Sequence, residues 1–163
     1  MRLALALVLC AAAAASAESR PHAPLALAIV IDRSGSMQGA KLESAKAGAK
    51  AAIASLAPGD RVAVIVFDSE ASVIVETTPV GRDTRKLDAA IDAIVAGGGT
   101  TFVPALDAAA AQLHGQPGHH HVIFLTDGEG PTDGLDDQLA RLRADAATMS
   151  AIGVGDADLA QLT

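Results

Sequence analysis

Residues 25–37 read LALAIVIDRSGSM, and the fold turns on how the first seven are interpreted. Leu25 to Ile31 is apolar at every position, with the length and branched content of a strand buried on both faces. A strand that met water on one side would alternate apolar and polar residues. An unbroken run calls instead for a parallel sheet covered by helices above and below. The chain then changes character at once. Asp32, Ser34 and Ser36 present three oxygen-bearing side chains at alternate positions, a spacing that could cap a helix, activate a nucleophile or hold a metal ion.

Downstream, strands and amphipathic helices alternate. From about Gln38 to Leu56 a helix is expected, with Leu42, Ala45, Ala49, Ala52, Ile53 and Leu56 on one face and Lys41, Glu43, Lys46 and Lys50 largely elsewhere. Pro58-Gly59-Asp60 is a turn. Arg61 to Phe67 is a second buried strand, and Ala71 to Glu76 a shorter third, close enough to pair with it as a hairpin. Asp83 or Thr84 caps a helix with Leu87, Ile91 and Ile94 inward, which stops at Gly97-Gly98-Gly99. Phe102 to Leu113 is helical again, with Pro104 acceptable in the first turn. His121 to Leu125 forms a fourth strand, Asp136 to Ala146 a helix and Thr148 to Val154 a fifth strand, and Asp156 or Asp158 opens one more helix. The expected fold class is α/β: a doubly wound, mostly parallel open sheet with one short antiparallel edge strand and helices on both faces. No internal repeat or long linker interrupts residues 25–163, which are expected to form one domain.

Residues 1–24 stand apart. Arg2 supplies a positive charge, Leu3 to Ala15 is apolar, and Ala15-Ser16-Ala17 is a small-residue cleavage site. That layout predicts a secretory signal peptide over residues 1–17, followed by a short lead over 18–24, and a periplasmic or secreted address. The apolar run falls short of the roughly 20 residues that a spanning helix needs. No second such span follows, so no membrane span is expected after cleavage. The one cysteine, Cys10, lies inside this segment, so the exported chain of about 145 residues must be stabilised by its core alone. Without Arg2, 11 basic residues face 19 acidic ones, a net charge of −8. That balance argues against nucleic acid or an anionic membrane surface as the main partner and suits a cation. Three phenylalanines are the only aromatic residues, too few to line a sugar or peptide groove.

In an open sheet of this kind the ligand crevice lies beyond the carboxyl ends of the strands, where strand order reverses. Asp32, Ser34 and Ser36 follow the first strand; Thr126, Asp127 and Gly128 follow the fourth; Gly98, Gly99, Thr100 and Thr101 precede the helix at Phe102. If the first and fourth strands are neighbours, the three loops converge. They bring two carboxylates and several hydroxyls, with no thiol or imidazole. Such a hard-oxygen set suits Mg²⁺ or Mn²⁺ and is ill suited to zinc or copper. A metal held by neutral hydroxyls stays electrophilic and would seek an anionic oxygen from outside, such as a partner's Asp or Glu.

Asp32-Arg33-Ser34-Gly35-Ser36, Gly98-Gly99-Thr100 and Thr126-Asp127-Gly128 resemble the three segments of a metal-ion-dependent adhesion site in von Willebrand factor type A domains. "LAPGDRVAVIVFDSEA" and "MSAIGVGDADLAQL" resemble the same family's second-strand region and its last strand and helix start, so the resemblance covers roughly Leu25 to Thr163. It implies that Ser34, Ser36 and Thr100 contact the metal directly, that Asp32 and Asp127 act largely through waters, and that a ligand carboxylate completes the shell. "TTFVPAL" fits the family's Thr-x-apolar-x-x-Ala-Leu in the register that selects Thr100 over Thr101. The resemblance also places Thr163 early in the family's last helix, whose sliding couples to site affinity, so the domain over 25–163 is expected to be truncated within that helix, a departure from the family's pattern.

Other assignments compete for the same residues. Asp32 to Ser36 alone could cap a helix, and Asp127-Gly128 alone reads as a turn. "GGGTT" lacks the Gly-Lys-Ser/Thr of a P-loop, and no Gly-x-Ser-x-Gly elbow presents a serine nucleophile. His114 and His119 to His121 could bind a soft metal, but a polar loop leading into a strand accounts for them as well and is the reading preferred. Glu129 and Asp133, with Asp136 and Asp137, form an acidic rim that would tune partner choice. The expected function is an exported, non-enzymatic module that captures a protein carboxylate through bound Mg²⁺ or Mn²⁺. The alternatives are a metal-assisted hydrolase with Glu129 as its base, or an accessory subunit of an ATP-driven, chelatase-like machine.

Overall fold

Alternation along the first strand sorts the core into two halves. β1 (Leu25–Asp32) sends Leu27, Ile29 and Ile31 to one face and Ala26, Ala28 and Val30 to the other. The first set packs with α1 (Ala40–Ala54) and α2 (Arg85–Asp92) through Leu42, Ala45, Ala49, Ile53 and Ile91. The second set packs with α3 (Phe102–Leu113) and α4 (Leu135–Ala144) through Phe102, Leu106, Ala109 and Leu142. Ile29, Val30 and Ile31 are entirely buried, and each such side chain stabilises the fold by about 1.5–3 kcal/mol. The computed structural model describes residues 23–128 and 130–155.

The sheet is completed by β2 (Arg61–Phe67), β3 (Ala71–Pro79), β4 (His119–Thr126) and β5 (Ala147–Gly153), in the order β3-β2-β1-β4-β5. β1 runs parallel to both β2 and β4, β5 runs parallel to β4, and β3 alone is antiparallel. The anticipated α/β class, the covered parallel sheet and the antiparallel edge strand are therefore all present. β1 and β4 are neighbours, so the order reverses at β1 and a crevice opens beyond their carboxyl ends.

Several boundaries differ from the sequence reading, each for a structural reason. α1 starts at Ala40 rather than Gln38, because Gly35–Met37 forms a separate 3₁₀ turn and Gly39 adopts φ +82° before the helix. β3 continues past Glu76, its pairing with β2 extending as far as Arg61 opposite Pro79. α2 ends at Asp92, well before the triple glycine, although Ile94 beyond it is buried. Thr84 occupies the cap position of α2 without a side-chain cap bond, while Asp83 accepts the Arg85 N–H. His119 and His120 belong to β4 and not to a loop, since Leu25 and Ala26 of β1 pair with them. α4 spans Leu135–Ala144, after which Ala146 turns at φ +55° into β5. Lys46 is buried rather than solvated, its ammonium bonded to the Glu43 carboxylate and the Asp92 carbonyl. The signal segment 1–17, most of the lead 18–24, Glu129 and the helix expected from Asp156 or Asp158 lie outside the described residues.

Candidate metal centre

Three loops meet beyond the carboxyl end of β1, and backbone bonds hold them in place. Gly35 N–H donates to Gly98 O at 3.1 Å and Gly97 N–H to Arg33 O at 2.8 Å, joining the loop after β1 to the loop before α3. The third loop is tied in by side chains. Thr126 Oγ1 donates to Asp32 Oδ2 at 2.6 Å, and Gly128 N–H donates to Thr126 Oγ1 at 3.1 Å. Ser34 N–H donates to the other oxygen, Asp32 Oδ1, at 2.8 Å.

Asp32 and Asp127 are both buried, as is Ser34, while Ser36 is exposed. Burial pushes the Asp32 carboxyl above the ordinary aspartate value. The bonds from Thr126 and Ser34 pull it back, and the neighbouring Asp127 charge pushes it up again. A buried carboxylate destabilised in this way gains from a nearby cation. Asp127 has one: Lys41 Nζ lies 2.9 Å from its Oδ2, reaching over from the first turn of α1.

The hydroxyls supply the remaining donors. Ser34 Oγ and Ser36 Oγ share a hydrogen bond at 3.1 Å, in which either hydroxyl can donate. Oxygens on adjacent corners of an octahedron with metal–oxygen bonds of about 2.1 Å are about 3.0 Å apart, so the pair matches one edge of a magnesium shell. Thr100, half-buried, sits in the loop before α3 with its methyl group toward Gly130. Among the described residues no three His, Cys, Asp or Glu side chains gather at one point, so a divalent ion here would depend on hydroxyl oxygens. Asp133, of the expected rim, is exposed in the turn before α4; Glu129 lies outside the described residues.

The loop after β2, read from sequence only as a hairpin connection, also belongs to the crevice. Arg33 pairs with Asp68 at 2.7 Å, Thr101 N–H donates to Asp68 O at 2.8 Å, and Gly99 N–H donates to Ser69 Oγ at 3.0 Å. Gly98 is at φ +81°, and a Cβ there would lie 2.9 Å from Asp68 Cβ and Cγ. The close approach of these two loops therefore requires glycine. The available signal was topological: any strand lying beside β1 and parallel to it must also deliver its carboxyl-end residues here.

Beneath the loops lie all three phenylalanines of the chain. The centroids of Phe67 and Phe102 are 5.9 Å apart, those of Phe67 and Phe124 5.0 Å, and those of Phe102 and Phe124 5.6 Å. Phe102 is the first residue of α3, so the ring cluster anchors the end of the Gly97–Thr101 loop.

Residues 27–129 match the von Willebrand factor type A domain. The chain belongs to that family. A relative in Synechocystis sp., an uncharacterized protein, is 34% identical over 82% of this chain and 33% of its own length. The E3 ubiquitin-protein ligase WAV3 of Arabidopsis thaliana is 31% identical over 66% of this chain and 15% of its own length. The chain thus spans a third or less of these relatives. Among solved structures, a von Willebrand factor type A protein from Catenulispora acidiphila superposes with TM-score 0.76 at 28% identity, over 86% of this chain and 35% of that one. Manganese-loaded TRAP protein of Plasmodium vivax shares the fold, with TM-score 0.73 at 18% identity over 85% of this chain and 61% of that one. Type A domains are in general protein-interaction modules, and the mostly parallel sheet with flanking helices described above matches the fold of that family.

Proposed function

We propose that this type A domain is a non-enzymatic, divalent-metal-dependent protein-binding module, exported to the periplasm or beyond, that captures an acidic residue of a partner. Ser34, Ser36 and Thr100 would hold Mg²⁺ or Mn²⁺ directly, with Asp32 and Asp127 acting through waters. The observation that carries this reading is the Ser34–Ser36 hydroxyl pair at octahedral-edge spacing beside two buried carboxylates. The metal would supply a Lewis-acidic position for a ligand carboxylate. The chain's own part is to fix the hydroxyls, keep Asp32 oriented through Thr126 and Ser34, and leave Ser36 open to solvent on the approach side. The manganese-loaded TRAP protein and the zinc-occupied proximal thread matrix protein 1 of the mussel byssus, which share this fold, each carry a divalent ion. Export rests on the signal-like residues 1–17. No helix among the described residues is long and apolar enough to cross a membrane.

Ser36→Ala gives the cleanest test, because the residue is exposed and its loss should change stability by no more than about 0.5 kcal/mol. Isothermal titration of Mn²⁺ and Mg²⁺ should show saturable binding to the wild-type chain and little to the folded variant. Equal binding by both would remove the site from these residues. Asp32→Ala and Asp127→Ala should weaken binding about 10–100-fold as supporting groups. An acidic peptide should then be retained only in the presence of metal.

A further inference from the structure

We infer that Lys41 is a built-in counter-cation of this site, bonded to Asp127 and opposing the binding of a divalent ion beside it. The inference rests on the metal-binding reading above and names a residue that lowers the site's affinity.

The Asp127 side chain is 1% exposed, so its charge requires compensation within the protein. Lys41 meets that need at 2.9 Å, across 86 residues of chain. The lysine is well placed for this role. It is the second residue of α1, the helix that follows the Asp32–Ser36 loop, so its backbone is anchored to the same crevice. Its stem passes close to Gly155, just after β5, where a Cβ would lie 3.1 Å from both Lys41 Cγ and Cε. The ammonium reaches Asp127 while the side chain remains 33% exposed.

These facts fix the sign of the effect on a metal. Two carboxylates attract a divalent ion, but a tethered positive charge bonded to one of them offsets part of that attraction and repels the incoming cation. Such opposition is strong in a partly buried crevice, where screening is weak. A one-third-exposed lysine has a route to water when a divalent ion and its bound waters approach Asp127, so giving up the carboxylate needs no change in the fold. Lysine suits this better than arginine, being a compact point charge on a flexible stem.

The test compares the wild-type chain with Lys41→Met and Lys41→Arg, using Mn²⁺ titration and thermal midpoints with and without metal. Lys41→Met should lower the metal-free midpoint, tighten Mn²⁺ binding about ten-fold, and enlarge the rise in midpoint that Mn²⁺ produces. Lys41→Arg, which keeps the charge, should stay near wild type in affinity. Manganese binding by Lys41→Met alone would also support the inference, with Lys41 strong enough to suppress it. If the wild type binds Mn²⁺ and Lys41→Met binds no tighter, Lys41 only braces Asp127, and the inference falls while the metal site stands. If neither folded protein binds Mn²⁺, the metal reading itself fails and takes the inference with it.

Discussion

Thr126 and Asp32, 94 residues apart, are joined by a 2.6 Å hydroxyl–carboxylate bond inside the sheet's central crevice. Both side chains are buried, and the same Thr126 oxygen accepts the Gly128 N–H. One hydroxyl thus fixes the loop after β4 to the loop after β1. Thr126→Val preserves shape but leaves Asp32 Oδ2 and Gly128 N–H each short of a partner. The expected loss is about 1–3 kcal/mol, the usual cost of stranding a buried polar group. Thr126→Ser should recover most of it. Urea denaturation of the three proteins measures the difference.

Asp32 should make the metal-free protein lose stability as pH rises. Its carboxyl is held above the ordinary aspartate value, chiefly by burial, so the unfolded chain gives up this proton first. The group's contribution is fully present below the unfolded value of about 3.9 and is lost as pH climbs through the folded value. Asp32→Asn removes that dependence. The variant should therefore gain on the wild type with rising pH in metal-free urea melts. Saturating Mg²⁺ favours the ionised carboxyl and should narrow or reverse the gap for the wild type alone. A constant difference across the acidic range would contradict this account.

Gly98→Ala should be costly. The backbone there is at φ +81°, and the new methyl would meet Asp68 Cβ and Cγ at 2.9 Å. A non-glycine residue in that region costs about 1–3 kcal/mol before any clash is counted. Since Cβ of Asp68 is itself in the way, Asp68→Ala should fail to rescue the variant. Thermal midpoints of the single and double variants decide this, and metal titration should show weakened binding as the loop bearing Thr100 shifts.

Local pattern was sufficient where strong punctuation framed an apolar segment. Arg61–Phe67 and Phe102–Leu113 have the boundaries read from sequence, the first following Pro58-Gly59-Asp60 and the second following the triple glycine. It failed where a partner strand sets the length. Nothing local says that β3 runs to Pro79, or that His119 and His120 extend β4 alongside Leu25 and Ala26. The candidate site divides in the same way. Asp32, Ser34, Ser36 and Asp127 stand at strand ends and are visible as polar residues after apolar runs. Lys41 looks like any lysine of an amphipathic helix, and Asp68-Ser69 like a hairpin turn. Their roles come from contacts across the crevice, 86 residues apart for Lys41 and Asp127 and 30 for Ser69 and Gly99.

The phenylalanine cluster makes the chain its own reporter. With neither tryptophan nor tyrosine in the sequence, every side-chain signal in the near-ultraviolet dichroism comes from Phe67, Phe102 and Phe124. Those three rings are packed against one another below the loops of the crevice. Their vibronic bands will follow side-chain packing at that one place, separately from the far-ultraviolet signal of helices and sheet. A ligand that tightens the loops should sharpen these bands without any label, and a variant that loosens Phe102 should blur them while secondary structure persists.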